Sequence, residues 1–238
     1  MLKKVYIQSL NGLPIDDWAF TAYLGFKARG CTIIFFDDIQ EVPVNKNTIV
    51  IANIDDTLWY FKQLGVELPL PLNIPPDIKK YAARETSEMT LKNFKESTGV
   101  PVFVKPLHKM TAFPAGVITK MASLKELFYG ISDDTAVMVS EYREIISEWR
   151  GFVINGSLQA LHWYAGSFKN IPDVSLMEAA IRSFHSAPAG YSIDFGITAD
   201  RKSILIECND GWSLGSYGCD PKIYCNLLIN RWAEIVKF

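Results

Sequence analysis

Apolar residues in the first fifty positions fall into three short runs rich in β-branched and aromatic side chains: Lys4 to Ile7, Thr32 to Phe36 and Thr48 to Ile51. The stretches between them are each about as long as a helix, and the first, Asp16 to Ala28, opens on two aspartates of the kind that favour a helix start. This rhythm predicts a small βαβ lobe. Asn53–Asp56 follows the third run and reads either as a ligand-facing loop or as a helix cap. From Leu68 to Pro76 four prolines remove amide donors and enforce extended backbone, so this segment is a linker. Helical spacing returns over Pro76 to Lys80 and Thr90 to Ser97, ending at Thr98–Gly99. Val100 to Pro106 then reads as a buried strand that leaves its sheet at the proline, with Lys105 at its exit.

The second half carries stronger local signals. Ser123 and Glu126 form a capping-box pattern at the head of a helix running to Tyr129, and a strand over Ala136–Val139 follows. Glu148 to Ile154 and Leu158 to Tyr164 flank Asn155–Gly156, which predicts a hairpin on a tight turn. The chain then offers a helix over Met177–His185, strands over Tyr191–Ile197 and Ser203–Glu207, and a closing helix over Pro221–Lys237. No internal repeat is present. These elements are of mixed α+β and α/β character.

The chemistry gathers on the last strand pair. If Ser192–Gly196 and Leu205–Asp210 run antiparallel, Asp194, Glu207 and Asn209 come together, with Glu207 and Asn209 on one face because strand side chains alternate. Two carboxylates and an amide oxygen are hard ligands. They suit Mg²⁺, which keeps several waters and completes its shell with phosphate oxygens. The apolar flanks Ile193, Phe195, Leu205 and Ile206 place them in a buried or cleft setting instead of at a solvated strand end.

Composition narrows the class. With 238 residues, 49% of them hydrophobic, the chain can bury a substantial core. A net charge of -2 gives no general field for nucleic acid, and the apolar runs are too short for a bilayer. The chain enters its first strand without a long apolar leader, which predicts a cytoplasmic protein. Four cysteines without paired spacing and three histidines argue against structural zinc, and the thiols are expected to be buried or free instead of disulfide-bonded.

A lysine on a strand before a proline, a later strand ending Ser140–Glu141–Tyr142–Arg143, the Glu148–Trp149–Arg150 start of a hairpin and the Asp194, Glu207, Asn209 set occur in the order seen in ATP-grasp enzymes. The chain resembles that superfamily, as a short member, from about Arg84 onward. The resemblance implies an ATP-grasp fold, an N-terminal βαβ lobe over residues 1–76 followed by two α+β lobes over 77–140 and 141–238 clasping the nucleotide, and an ATP-dependent ligase joining a carboxylate to an amine or similar nucleophile. ATP and Mg²⁺ are then the cofactors, and small-molecule or peptide acids and amines the partners; membrane binding is excluded, nucleic acid is not expected, and self-association is common in such ligases.

By the same resemblance Lys105 reaches the α- and β-phosphates, and Arg84 is a second phosphate contact, with Lys80 and Lys92 as competitors. Glu141 and Tyr142 lie on the segment that reads the adenine edge, Glu148 accepts from the ribose hydroxyls, and Arg150 clamps phosphate or a nascent acyl-phosphate. Lys105 and Arg150 are the candidate catalytic residues, and Asp194, Glu207 and Asn209 the metal ligands. The loop His108–Gly116 departs from the usual glycine-rich form, and Leu161–Tyr164 lacks the arginine many relatives carry there. Asp210, Trp212 and Tyr217 are candidates for substrate specificity. A phosphotransferase in the same cleft and a non-catalytic nucleotide-binding module remain alternatives.

Overall fold

A computed structural model describes residues 4–67, 69–97, 99–107, 112–120 and 127–237. The loop residues His108–Thr111 and the capping box at Ser123 and Glu126 lie outside the described residues. The described residues form three separate four-stranded sheets, and each sheet with the helices packed on it is called a lobe below.

The first sheet is built on β1 (Lys4–Leu10), which pairs in parallel with β3 (Thr32–Phe36) on one side and β4 (Ile49–Ile51) on the other, while β2 (Leu13–Pro14) folds back antiparallel as a short edge. Helix α1 (Asp17–Ala28) starts on Asp16, whose carboxylate caps the Asp17 amide, and α2 (Ile54–Gln63) starts on Asn53, whose side-chain oxygen accepts from Asp56 N–H. The segment Asn53–Asp56 is therefore a helix cap, and it still faces a cavity with Trp18 and Ser213–Gly215.

The second sheet has the order β5-β8-β6-β7, from β5 (Thr86–Thr90), β6 (Val102–Pro106), β7 (Gly116–Ile118) and β8 (Ala136–Glu141), with α3 (Leu91–Glu96) packed on it. The third has the order β10-β9-β11-β12, from β9 (Ile145–Ile154), β10 (Ser157–Gly166), β11 (Gly190–Thr198) and β12 (Ser203–Asp210), with α4 (Val174–Ser183) behind it. Asn155 and Gly156, at φ 49° and 74°, make the mirror-image turn that matches the twist of the β9–β10 hairpin. The short strands β2, β5 and β7 carry no period-two pattern long enough to be read from sequence.

Two segments pack away from their neighbours in the chain. The 3-10 helix Pro76–Ala82 buries Ile78 in the core of the third lobe with Phe195 and Leu205. The closing helix α5 (Pro221–Val236) completes the first lobe: Trp232 packs on Tyr60 and Phe61, with its ring centre 5.0 Å from that of Phe61. Gly25 makes this crossing possible, because a Cβ there would lie 2.2 Å from the carbonyl oxygen of Pro221. The region after Asn209 is thereby fixed between the first and third lobes. None of the four cysteines is disulfide-bonded, and Cys208, Cys219 and Cys225 are buried. Among the described residues no helix is long and apolar enough to cross a membrane.

Candidate active site

The antiparallel pairing of β9, β11 and β12 sets Arg150 opposite Asp194 and Asp194 opposite Glu207, so three charged side chains form one row across the sheet. Asn209 stands two residues beyond Glu207 on the same face. Its amide nitrogen donates to Glu207 Oε1 at 2.9 Å and lies 3.4 Å from Asp194 Oδ2. Arg150 grips Asp194 with two bonds, Nε to Oδ1 at 2.9 Å and Nη2 to Oδ2 at 2.6 Å, in a pair that is almost wholly buried. From the second lobe Lys105 reaches across the cleft and donates to Glu207 Oε2 at 2.6 Å.

A β-bulge decides which side chains share this face. The register of β11 and β12 shifts between Asp194 and Phe195, so that Ile206 and Glu207 together oppose Asp194. Such a bulge re-aims a side chain. Strict alternation would put Ile206 and Glu207 on opposite faces; here Ile206 lines a cavity beside Glu148 while Glu207 stays in the charged row. Gly196 makes room for it, since a Cβ there would sit 2.8 Å from Ile145 Cγ2 and 3.1 Å from Ile206 Cδ1.

Two cavities flank the row. One, about 330 Å³, is lined by Phe103, Val117, Ile145 and Ile206 as apolar walls, by Glu141–Glu144 along one edge and by Glu148 toward the row. The other, about 240 Å³, lies where Lys105, Glu207 and Asn209 meet Trp212, Ser213, Phe113 and the Leu70–Asn73 linker. The charged row thus lies beside a mostly apolar slot and a mixed polar and apolar chamber.

Electrostatics follow from burial and pairing. Burial pushes the Asp194 carboxyl up to about 6 even against Arg150, and Glu207 and Glu148 nearby add to the push. Burial acts the same way on Glu207, but the ammonium of Lys105, its hydrogen bond and that of Asn209 overcome it and hold the carboxyl below its ordinary value. For Arg150 burial works against the charge, and the Asp194 carboxylate more than restores it. Each carboxylate of the row thus faces its own basic side chain, Asp194 facing Arg150 and Glu207 facing Lys105.

The candidate site residues lie around this row and its two cavities. Lys105, Arg150, Asp194, Glu207 and Asn209 form one connected group. Glu148 accepts from Tyr164 Oη at 2.8 Å and lies at the mouth of the apolar slot. Glu141 and Tyr142 line the slot's edge, with the Glu141 carboxylate 3.0 Å from Arg143 Nη2. Arg84 also borders the slot, yet its donors are committed elsewhere: Nη1 to the carbonyl of Leu205 at 2.6 Å, Nη2 to that of Ile206 at 2.9 Å and Nε to Ser140 Oγ at 2.8 Å. A phosphate contact would require these bonds to break. Asp210, a specificity candidate, borders the chamber, and its carboxylate forms a two-bond pair with Arg231 of α5, both at 2.6 Å. Trp212 does line the chamber, stacked edge-on against Phe61.

The sequence did not single out Phe103, Val117 and Ile145 as cavity walls, nor Tyr164 as the partner of Glu148. Ile206 was legible only as an apolar flank, because a bulge leaves no mark in composition.

A model of the ATP-grasp domain, representing family 2 of one clade of that superfamily, matches residues 81–227, more than half of the chain and all of the row just described. The chain belongs to the ATP-grasp family. No curated protein matches the sequence at a significant level. Among solved structures the fold is similar to the D-cycloserine synthetase DcsG (TM-score 0.63, 11% identity, covering 96% of this chain and 99% of that one). It is also similar to D-alanyl-alanine synthetase A from Vibrio cholerae (TM-score 0.59, 13% identity, 100% of both chains). A third is the D-alanine–D-alanine ligase from Bacillus anthracis complexed with ATP (TM-score 0.57, 12% identity, 98% of both chains). At these identities the likeness establishes the ATP-grasp fold and leaves the reaction to be argued from the site.

Mg²⁺ fits the donors present. Among the described residues no three acidic, histidine or cysteine side chains converge as a metal shell. Asp194, Glu207 and Asn209 lie together, and with the Asn209 amide turned to present its oxygen they would offer two carboxylates and an amide oxygen, the hard, incomplete set that Mg²⁺ accepts beside phosphate.

Proposed function

We propose that this ATP-grasp protein is an ATP- and Mg²⁺-dependent ligase that activates a carboxylate as an acyl-phosphate for attack by an amine or similar nucleophile. The observation that carries the reading is the charged row Arg150–Asp194–Glu207, with Asn209 and Lys105, set between an apolar slot and a chamber. The adenine lies in the slot between Phe103 and Val117 on one side and Ile206 on the other, with the Glu141–Tyr142 backbone along its edge and Glu148 at the ribose. The phosphates then run over the row, and the acceptor occupies the chamber beside Trp212.

Binding exchanges partners within the row. Lys105 and Arg150 turn from Glu207 and Asp194 to phosphate oxygens, which frees both carboxylates to hold, with Asn209, one or two Mg²⁺ ions. Held by Asp194, Glu207 and Asn209, Mg²⁺ would supply charge neutralisation on the phosphates. The remaining work is positioning and charge stabilisation by the protein, as phosphoryl transfer asks for little covalent chemistry from it. A carboxylate oxygen of the substrate attacks the γ-phosphorus as the bond to ADP breaks. The amine then attacks the acyl carbon and inorganic phosphate leaves. Arg150, with its planar fork, suits the oxygens of the acyl-phosphate, and Lys105, on a flexible stem, suits the β-phosphate.

The test is ADP release from pools of acids and amines with the products read by mass spectrometry. The reading predicts an amide, with turnover abolished in Glu207→Ala and Asn209→Ala. A stable phosphorylated product without an amide would establish the phosphotransferase instead. Full activity in both variants would remove the metal assignment.

A further inference from the structure

The loop after Asn209 contains a turn whose backbone is arranged around one side chain. Cys219 N–H bonds the carbonyl of Ser216 at 2.8 Å, and the two central residues, Tyr217 and Gly218, have φ of 44° and 75°. Both central residues of this turn type are left-handed, a position that asparagine, aspartate and glycine fill readily and tyrosine does not. The tyrosine ring explains the choice. It stacks on the Arg150 guanidinium, 4.4 Å from centroid to carbon, and tilts against the ring of Tyr164 at 5.2 Å. Gly215 is needed for the same reason, because a Cβ there would lie 2.7 Å from Tyr217 Cε2.

The turn is also tied to the first lobe. Ser216 is buried, donates to Asp17 Oδ2 at 2.8 Å and lies 3.2 Å from Thr21 Oγ1, so α1 holds the residue immediately before Tyr217. One short segment therefore links the first lobe, the acceptor-side loop and the arginine of the charged row.

We infer that Tyr217 is a positioning residue that steers Arg150 from Asp194 to the terminal phosphoryl group. The inference rests on the ligase reading above. Asp194 holds the guanidinium by its edge, and Tyr217 holds it by its face. When the edge bonds are exchanged for phosphate, the stacked face stays in place, so the guanidinium swivels in its own plane instead of swinging into solvent. A loop displaced from the acceptor side would carry Tyr217 away and leave Arg150 unsteered, which links acceptor binding to phosphate chemistry.

Calorimetry with Mg-ATP and Mg-ADP on wild type, Tyr217→Leu, Tyr217→Phe and Gly215→Ala tests this. A desolvated cation–π contact predicts that Tyr217→Leu weakens Mg-ATP about tenfold while Mg-ADP, which lacks the phosphate that Arg150 meets, changes less than about twofold. Tyr217→Phe keeps the ring and should retain wild-type values for both nucleotides. Gly215→Ala, which displaces the ring without removing it, should shift the ratio in the same direction as the leucine variant. An unchanged ATP-to-ADP ratio in Tyr217→Leu, equal loss of both nucleotides, or a phenylalanine variant as weak as the leucine one would overturn the inference. Wild type binding neither nucleotide would overturn the ligase reading and this inference with it, an outcome distinct from the others.

Discussion

Removing Arg84 separates two roles for the same side chain. In the structure it braces the lobes, donating to the carbonyls of Leu205 and Ile206 on β12, to Ala82 and to Ser140 on β8. Hydrogen bonds from a charged donor contribute about 1.5–3 kcal/mol each. Burial of the guanidinium, which lowers its own proton affinity here, opposes part of that sum. Arg84→Met keeps much of the stem and loses every donor, so we expect a net loss of about 3 kcal/mol. For a chain of this size that corresponds to a melting temperature lower by roughly 6–12 °C. Arg84→Lys should recover less than half, because a single ammonium cannot span two adjacent carbonyls as the forked guanidinium does. Thermal unfolding followed by circular dichroism measures the loss, and calorimetry with Mg-ATP at low temperature measures affinity on the same samples. A variant that melts within about 2 °C of wild type and has lost ATP affinity would refute the brace and restore the phosphate contact expected from the sequence.

Three further outcomes follow from the geometry. Since burial raises the Asp194 carboxyl to about 6, the folded protein holds this proton more tightly than the unfolded chain does; its contribution to stability is present below about pH 4 and is lost as pH rises through 6, while metal must compete with the proton below 6. Mg²⁺-dependent ATP affinity should therefore fall as pH drops from 7.5 to 5.5, by more in wild type than in Asp194→Asn, and parallel profiles in the two proteins by calorimetry would contradict this. Ile206→Ala removes one wall of the slot and should weaken ATP and ADP equally, about tenfold from roughly 1.4 kcal/mol of lost burial, with metal dependence intact; a selective loss of ATP would place Ile206 elsewhere. Gly25→Ala sets a Cβ 2.2 Å from the Pro221 carbonyl, which must push α1 and α5 apart at a cost of at least about 2 kcal/mol, and a variant melting like wild type would show that the crossing is not tight.

Much of the site was legible because its residues lie on long strands with strong patterns. The Asn155–Gly156 turn fixes the hairpin, alternation fixes which side chains of β9 share a face, and the antiparallel return of β12 brings Glu207 and Asn209 to Asp194. The rest depended on contacts distant in sequence. Nothing near Arg150 signals that Asp194 occupies it, nor that Tyr217, sixty-odd positions later, covers its face. Arg84 lies just before β5 and suggested a phosphate contact, whereas the carbonyls that bind it belong to β12. The packing of α5 on the first lobe was equally hidden, since a closing apolar helix fits any core, and only the glycine at position 25 marks where it crosses.

The central claim, that the Arg150–Asp194–Glu207 row with Asn209 and Lys105 binds Mg-ATP, is tested most directly by calorimetry of ATP with and without Mg²⁺ on wild type and on the Glu207→Ala, Asn209→Ala double variant. The account predicts binding that requires the metal in wild type and is lost in a variant that still folds. Binding that is equally strong without Mg²⁺, or undiminished in the double variant, would contradict it.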